Sequence, residues 1–182
     1  LINLQSGTAN DGQGGVDTLS NLNFVVGTAF NDTITGSSTD NLFEQFEGGL
    51  GNDTIDGGAI NLVTGNNSNR VNYSTDAAEV TVDLGLGTAT GGAGSDTLIN
   101  INHVRGSAFA DTLLGSNTTS WTEQFEGRQG NDTINGLGGT DMVRYDAATV
   151  AVNVNLATGV ASDGQGGTDT LLNIEGVRGS TF

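Results

Sequence analysis

The feature that most constrains this chain is a pair of nine-residue units set end to end. They are Gly127-Arg128-Gln129-Gly130-Asn131-Asp132-Thr133-Ile134-Asn135 and Gly136-Leu137-Gly138-Gly139-Thr140-Asp141-Met142-Val143-Arg144. Both read Gly-x-x-Gly-x-Asp-x-apolar-x. The first half is turn chemistry, because glycine accepts the positive φ that a tight reversal demands. The second half is a strand of minimal length, with one large apolar residue between polar neighbours. Side chains alternate across a strand, so Ile134 and Val143 face inward and their neighbours outward. Each turn reverses the chain, so successive strands lie on opposite sides of a flattened coil. Units two apart then stack on the same edge.

The unit recurs at Gly48-Gly49-Leu50-Gly51-Asn52-Asp53-Thr54-Ile55-Asp56. In each copy the aspartate closes the turn and can point into a ring of backbone carbonyls. An oxygen-rich turn with one carboxylate suits a hard cation, and Ca²⁺ is the ion expected. The pattern resembles the glycine- and aspartate-rich nonapeptide of the RTX (hemolysin-type) calcium-binding proteins. That resemblance implies an all-β fold, a parallel β-roll or β-helix solenoid with Ca²⁺ at the turns. It also implies that each ion sits between stacked turns, held by one side chain from each and by turn carbonyls. The side chains are then Asp17, Asp32, Glu44, Asp53, Asn69, Asp96, Asp111, Glu123, Asp132, Asp141 and Asp169. The turn positions are Gly48, Leu50 and Asn52, then Gly127, Gln129 and Asn131, then Gly136, Gly138 and Thr140.

Charge narrows the partners. The chain carries 21 acidic residues against 5 arginines and no lysine, for a net charge of −16. A nucleic-acid backbone would be repelled, and an anionic membrane surface is disfavoured. Such self-repulsion opposes compaction unless cations neutralise it. A merely solvated acidic surface does not account for the pattern, because eight of the 15 aspartates share one motif position. Periodic turns also explain the 30 glycines in a chain without proline. With no cysteine, no disulfide framework contributes. No run reaches transmembrane length, so no membrane insertion is expected.

A longer repeat encloses the nonapeptides. Asp17-Thr18-Leu19-Ser20-Asn21-Leu22 returns 79 residues later from Asp96 and 73 residues after that from Asp169. The chain reads as one repeat solenoid over 1–182. Residues 1–30 close a preceding unit and open the first, unit one covers 17–95, unit two 96–168, and 169–182 begin a third. Because the chain opens and closes inside a repeat, it is expected to be a piece of a longer protein. Val80–Leu84 and Val152–Leu156 alternate strictly and read as strands. Glycine-rich loops follow at 10–16, 91–95 and 162–168, before the Asp-Thr-Leu strands. Leu19, Leu22 and Val25 are spaced by three, which no flat strand allows. Asn21, Asn100 and Asn173 therefore read as corners, with a helical turn as the alternative.

Gly27–Thr35 and Gly106–Leu114 are degenerate nonapeptides that keep Asp32 and Asp111 but replace the fourth glycine by Phe30 and Phe109. These phenylalanines are expected to be apolar caps. Counting back from the inward Phe46 and Phe125 puts Glu44 and Glu123 at the aspartate position, after turns longer than usual. A glutamate reaches further and can bind bidentately. Stacking then pairs Asp111 with Asp132, Glu123 with Asp141, Asp32 with Asp53, and Glu44 with Asn69. The stretch from Gly57 to Tyr73 has seven residues more than its counterpart from Gly136 to Tyr145. The site at Asn69 should therefore be weaker. Asp40 sits in a loop with no motif position.

Other residues carry little chemistry. His103 is the only histidine and is expected to have a surface or packing role. Trp121, matched by Leu42, reads as an apolar plug. Arg105 and Arg178 balance local acid. Seven threonines follow the motif aspartates, from strand propensity or as a short ice- or glycan-binding face. No nucleophile has a base and no zinc-type histidine cluster exists. The fixed turn position of the carboxylates argues for ligands rather than a hydrolytic dyad. The expectation is a non-enzymatic, calcium-binding module that folds and rigidifies outside the cell, as a structural or adhesin segment of a secreted or bacterial cell-surface protein. The resemblance adds bacterial type I secretion. The alternatives are an accessory module of a secreted protease, lipase or polysaccharide-modifying enzyme, or a glycan-binding repeat. The expected partners are Ca²⁺, neighbouring repeats of the same chain, and a cell-surface glycan or matrix.

Overall fold

The computed structural model describes residues 1–39, 42–60 and 68–182. Asp40, Asn41 and the seven residues 61–67 lie outside the described residues. The described chain is all-β, without a helix. In order its strands are β1 (Ile2–Asn3), β2 (Thr8–Asn10), β3 (Val16–Thr18), β4 (Phe24–Val26), β5 (Thr33–Thr35), β6 (Phe43–Glu47), β7 (Thr54–Asp56) and β8 (Ser68–Asn72). Then come β9 (Val80–Asp83), β10 (Thr88–Gly91), β11 (Gly94–Ile99), β12 (His103–Arg105), β13 (Thr112–Leu114), β14 (Thr122–Glu126), β15 (Thr133–Asn135) and β16 (Thr140–Arg144). The last four are β17 (Asn153–Asn155), β18 (Val160–Ser162), β19 (Thr168–Leu172) and β20 (Gly176–Arg178).

Two sheets face each other as a parallel β-roll. The smaller, in the order β20-β16-β14-β12-β8-β6-β4, is parallel throughout. The larger runs β17-β18-β19-β15-β13-β9-β10-β11-β7-β5-β1-β2-β3. Strands β13 and β15 fall in the larger sheet, β14 and β16 in the smaller. Each nonapeptide turn thus carries the chain across. Strands two apart pair in register, Leu113 with Ile134 and Phe125 with Val143. Ile34, Phe46, Ile55, Val71, Leu113, Phe125, Ile134 and Val143 are fully buried between the sheets. One inward residue per three-residue strand, stacked coil on coil, gives a core a single layer of side chains thick. That is why so glycine-rich a chain can bury a continuous core.

The parallel stack is interrupted by three antiparallel meanders, β1-β2-β3, β9-β10-β11 and β17-β18-β19. Their middle strands run into the first residues of the expected glycine-rich loops, Asn10, Gly91 and Ser162, and β11 takes up Gly94 and Ser95 as well. Ala89 and Ala161 supply the inward contact and are buried. An alanine methyl is too weak a hydrophobic signal to mark a strand, yet it fits between Val82 and Asp96 across the ladder.

The asparagine corners hold left-handed backbone, with φ of 56° at Asn21, 54° at Asn100 and 51° at Asn173. Asparagine tolerates that region, and the corner excludes the helical turn. Phe30 and Phe109 are not caps. They are 78% and 44% exposed. His103 is fully buried against the edge of the Phe43 ring, and burial pushes its imidazole down to about 3. Trp121 is half-buried. Arg105 is paired with Glu126, Nε to Oε2 at 2.9 Å. Among the described residues no helix is long and apolar enough to cross a membrane.

Candidate metal centre

The turn aspartates form a ladder along the edge of the roll. In each rung one carboxylate oxygen accepts the backbone N–H of the equivalent residue in a neighbouring coil. Asp32 donates to Asp53 Oδ1 at 2.8 Å and Asp53 to Asp96 Oδ1 at 3.0 Å. After the meander, Val80 donates to Asp111 Oδ1 at 2.9 Å, Asp111 to Asp132 Oδ1 at 2.9 Å, and Asp132 to Asp169 Oδ1 at 3.1 Å. The other edge carries a second ladder. Glu44 is level with Asn69 and Glu123 with Asp141. The four pairs expected from stacking are thus brought together. Asn69 also donates to Asn102 Oδ1 at 2.8 Å, and Asp141 to Glu175 Oε2 at 2.8 Å.

Asn102 and Glu175 escaped the sequence reading. The signal was present. Every ladder residue stands two positions before an inward apolar residue, as Asp132 does before Ile134. Applied to Val104 and Val177, that rule selects Asn102 and Glu175. Asp17 does not join the ladder. It lies exposed on β3 at the edge of the larger sheet.

The turns also show which positions require glycine. At the fourth position Gly51, Gly130 and Gly139 have φ of 121°, 119° and 125°, a region closed to side chains. At the second position Gly49, Arg128 and Leu137 have φ of 92°, 79° and 63°, left-handed backbone that a side chain can adopt at a cost. At the first position the reason is contact. A Cβ on Gly48, Gly127 or Gly136 would run into Oδ2 of Asp53, Asp132 or Asp141. On Gly115 it would meet both Glu123 Oε2, at 2.7 Å, and the Gly136 carbonyl oxygen, at 2.5 Å. On Gly106 it would meet Asp111 Oδ2 and the Gly127 carbonyl oxygen, the latter at 3.0 Å. Carboxylate and carbonyl oxygens therefore gather over the bare face of the first glycine. Leu50, Asn52, Gln129, Asn131 and Gly138 lie in the same turns, whereas Thr140 opens β16.

A divalent cation fits this arrangement, and the test is which oxygens lack a donor. Asp53 Oδ2, Asp132 Oδ2, Asp141 Oδ2 and Asn69 Oδ1 are buried without a hydrogen-bond partner. Leaving a buried carboxylate oxygen bare is costly unless a cation faces it. Burial, followed by the charges of Asp169, Asp111 and Asp163, pushes Asp132 up to about 8. Burial, Glu123 and Glu175 push Asp141 up to about 7. Burial also raises Asp53, Asp96, Asp111 and Glu123 above their ordinary values. Among the described residues no three histidine, aspartate or glutamate side chains form a metal-holding group. The turn carbonyls that approach the same glycines would supply the remaining ligands, a donor set of oxygen alone that suits Ca²⁺.

Fold and turns together define a solenoid with hard-cation sites along its edges. A family model for the RTX calcium-binding nonapeptide repeat matches the sequence in four copies, over residues 22–44, 40–59 and 122–147. These stretches carry RTX calcium-binding nonapeptide repeats, which supports a calcium-binding repeat module. No curated protein matches it.

Proposed function

We propose that this module is a structural segment of a secreted or cell-surface protein of adhesin type, folded and stiffened by calcium outside the cell, and that it performs no catalysis of its own. The observation that carries the reading is the set of buried, unpartnered carboxylate oxygens on Asp53, Asp132 and Asp141, in a chain of net charge −16. Without cations these groups oppose the stacking that the core requires. With cations they join neighbouring coils.

Extracellular calcium modules bind at about 10⁻⁴ to 10⁻³ M. At about tenfold excess over that constant each site adds about 1.4 kcal/mol to stability by linkage. A few such sites supply stability comparable with the lower end of a whole domain's, about 5 kcal/mol. At the far lower calcium level of a cytosol they supply almost none. That difference supports export as an unfolded chain by type I secretion and folding on arrival, with neighbouring repeats continuing the stack. Circular dichroism with and without EDTA tests this reading. The chain should be largely unfolded in chelator and gain strand cooperatively in millimolar Ca²⁺. Mg²⁺ should substitute poorly, since it demands small octahedral geometry and holds its water. Equal strand content in EDTA and in calcium would overturn it.

A further inference from the structure

The turn aspartates do not account for every buried carboxylate. Asp163, in the loop between β18 and β19, is fully buried. Its Oδ1 accepts the N–H of Gln165 at 2.8 Å and of Gly167 at 2.9 Å, so the side chain is folded back under its own loop. Its Oδ2 has no partner. A Cβ on Gly167 would meet the Gly130 carbonyl oxygen and, at 2.8 Å, Asp163 Oδ2. An unpartnered carboxylate oxygen and a turn carbonyl therefore share one glycine-lined space. Asp169 is close enough to be affected by the Asp163 charge. Its own oxygens are occupied by Asp132 N–H and by the Tyr145 hydroxyl at 2.9 Å.

The β9-β10-β11 meander solves the same problem from another direction. Its β10-β11 loop is shorter, and Gly91 pairs with Val80 where the register of the β17-β18-β19 meander brings Asp163 level with Val152. The carboxylate there comes from Asp76 in the segment after Tyr73. Asp76 Oδ2 is again buried without a partner. It shares a small cavity with Tyr73, Gly91, Gly94 and Asp96. Tyr73 donates to Asp96 Oδ2 at 3.0 Å, as Tyr145 does to Asp169. The backbone position of Asp76, bonded to the Tyr73 carbonyl at 3.0 Å, is held in the second unit by Ala148, bonded to the Tyr145 carbonyl at 3.0 Å. Where the loop supplies an aspartate, the other position is alanine. Where the loop has glycine, the other position is aspartate. A buried carboxylate without a donor is costly. Its delivery to one place by two unrelated positions is what a ligand requirement produces.

We propose that Asp163 in the second unit and Asp76 in the first are further calcium ligands, each completing a cation site at the junction between the stacked turns and the meander. The donors in the second unit are Asp163 Oδ2 and the Gly130 carbonyl beside Asp169. In the first unit they are Asp76 Oδ2 beside Asp96. Donor sets of oxygen alone select Ca²⁺ over the softer metals. The proposal rests on the calcium reading of the module but concerns residues outside the nonapeptides.

The test is calcium titration of the whole chain by calorimetry, with native mass spectrometry to count ions. Asp163→Asn keeps the Oδ1 acceptor of the loop and removes the charge. It should bind one ion fewer, or one at least tenfold more weakly, with unchanged circular dichroism at saturating calcium. Adding Ala148→Asp to that variant should restore the lost ion, because it recreates the arrangement of the first unit. Asp76→Asn lies outside the meander loop and should lose an ion independently of any loop effect. Wild-type stoichiometry and affinity in both Asp163→Asn and Asp76→Asn would overturn the proposal while leaving the nonapeptide sites intact. A wild-type chain that takes up no calcium would overturn the module's calcium reading as a whole.

Discussion

Two kinds of turn alternate along this roll, and they treat the same carboxylate differently. In the intact turns, Gly48–Asp53, Gly127–Asp132 and Gly136–Asp141, Oδ2 of the aspartate is buried with no donor. In the degenerate turns a hydroxyl residue stands at the second position and answers the carboxylate itself. Ser107 donates its N–H to Asp111 Oδ2 at 2.6 Å and its hydroxyl to Oδ1 at 2.7 Å. Thr28 does the same for Asp32, at 2.6 and 2.8 Å, both to Oδ2. The longer turns behave likewise. Ser116 gives its N–H and hydroxyl to Glu123, each at 2.7 Å, and Ser37 gives its N–H to both oxygens of Glu44. One class of turn is closed by its own hydrogen bonds and the other is left open for a cation. The chain thus mixes turns whose carboxylate is answered from within the turn with turns whose carboxylate keeps a bare, buried oxygen, and the residue at the second turn position makes the difference.

The sharpest way to break this comparison is to neutralise one carboxylate of each class. Asp132→Asn should bind one calcium ion fewer and unfold at clearly lower temperature in millimolar calcium. Asp111→Asn should keep the wild-type ion count and lose only its turn bonds, about 1 to 3 kcal/mol. Calorimetric titration and thermal melts separate the two. Equal loss of calcium in both variants would show that the hydroxyl turns are ion sites too.

A second test uses the backbone. Gly130→Ala forces a side chain into a region only glycine visits and should cost about 1 to 3 kcal/mol. Phe109→Ala at the same position of a hydroxyl turn should cost less, because Phe109 has no positive φ to relieve and is 44% exposed. Denaturant melts in calcium measure both.

The third test is pH. The folded-state values of Asp132 and Asp141 are raised to about 8 and about 7, above an ordinary 3.8. A raised carboxylate contributes stability to the calcium-free fold when protonated, and that stability is lost as pH rises through 7 and 8. Calcium must displace the same protons from the folded chain, whereas the unfolded chain is already ionised above pH 6. The chain in EDTA should therefore show more strand at pH 5 than at pH 8.5, and the calcium concentration for half-maximal folding should rise as pH rises from 6 to 8.5. A folding midpoint that does not move with pH would mean that the open carboxylates are ionised even without calcium.

The smallest effect concerns the two units. Asn69 stands beside Glu44 where Asp141 stands beside Glu123. Asn69→Asp restores the second carboxylate and should tighten calcium binding in the first unit a few-fold. The gain is limited because Asn69 Nδ2 donates to the Asn100 carbonyl at 2.9 Å, a bond the aspartate cannot make. No gain in affinity would show that turn carbonyls outweigh the second carboxylate.

The sequence by itself determined the roll. A nine-residue period fixes which strand lies in which sheet, and one inward residue per strand fixes the register. Those local regularities were enough to stack Asp32 on Asp53, Asp111 on Asp132 and Glu123 beside Asp141, because each pair is separated by a fixed number of turns. What only the tertiary structure decided is how the meanders dock. Asp96 lies 43 residues from Asp53 and Asp169 37 from Asp132, and no period spans those distances. Their alignment follows from the inward Leu98 and Leu171 meeting Ile55 and Ile134 across the ladder. The same docking placed Asp163 and Asp76 beside those aspartates, from positions that share no motif. It also revealed which turn carboxylates are already satisfied. A hydroxyl two residues into a turn looks like ordinary turn chemistry until the coil is closed and its hydrogen bond is seen to reach the carboxylate.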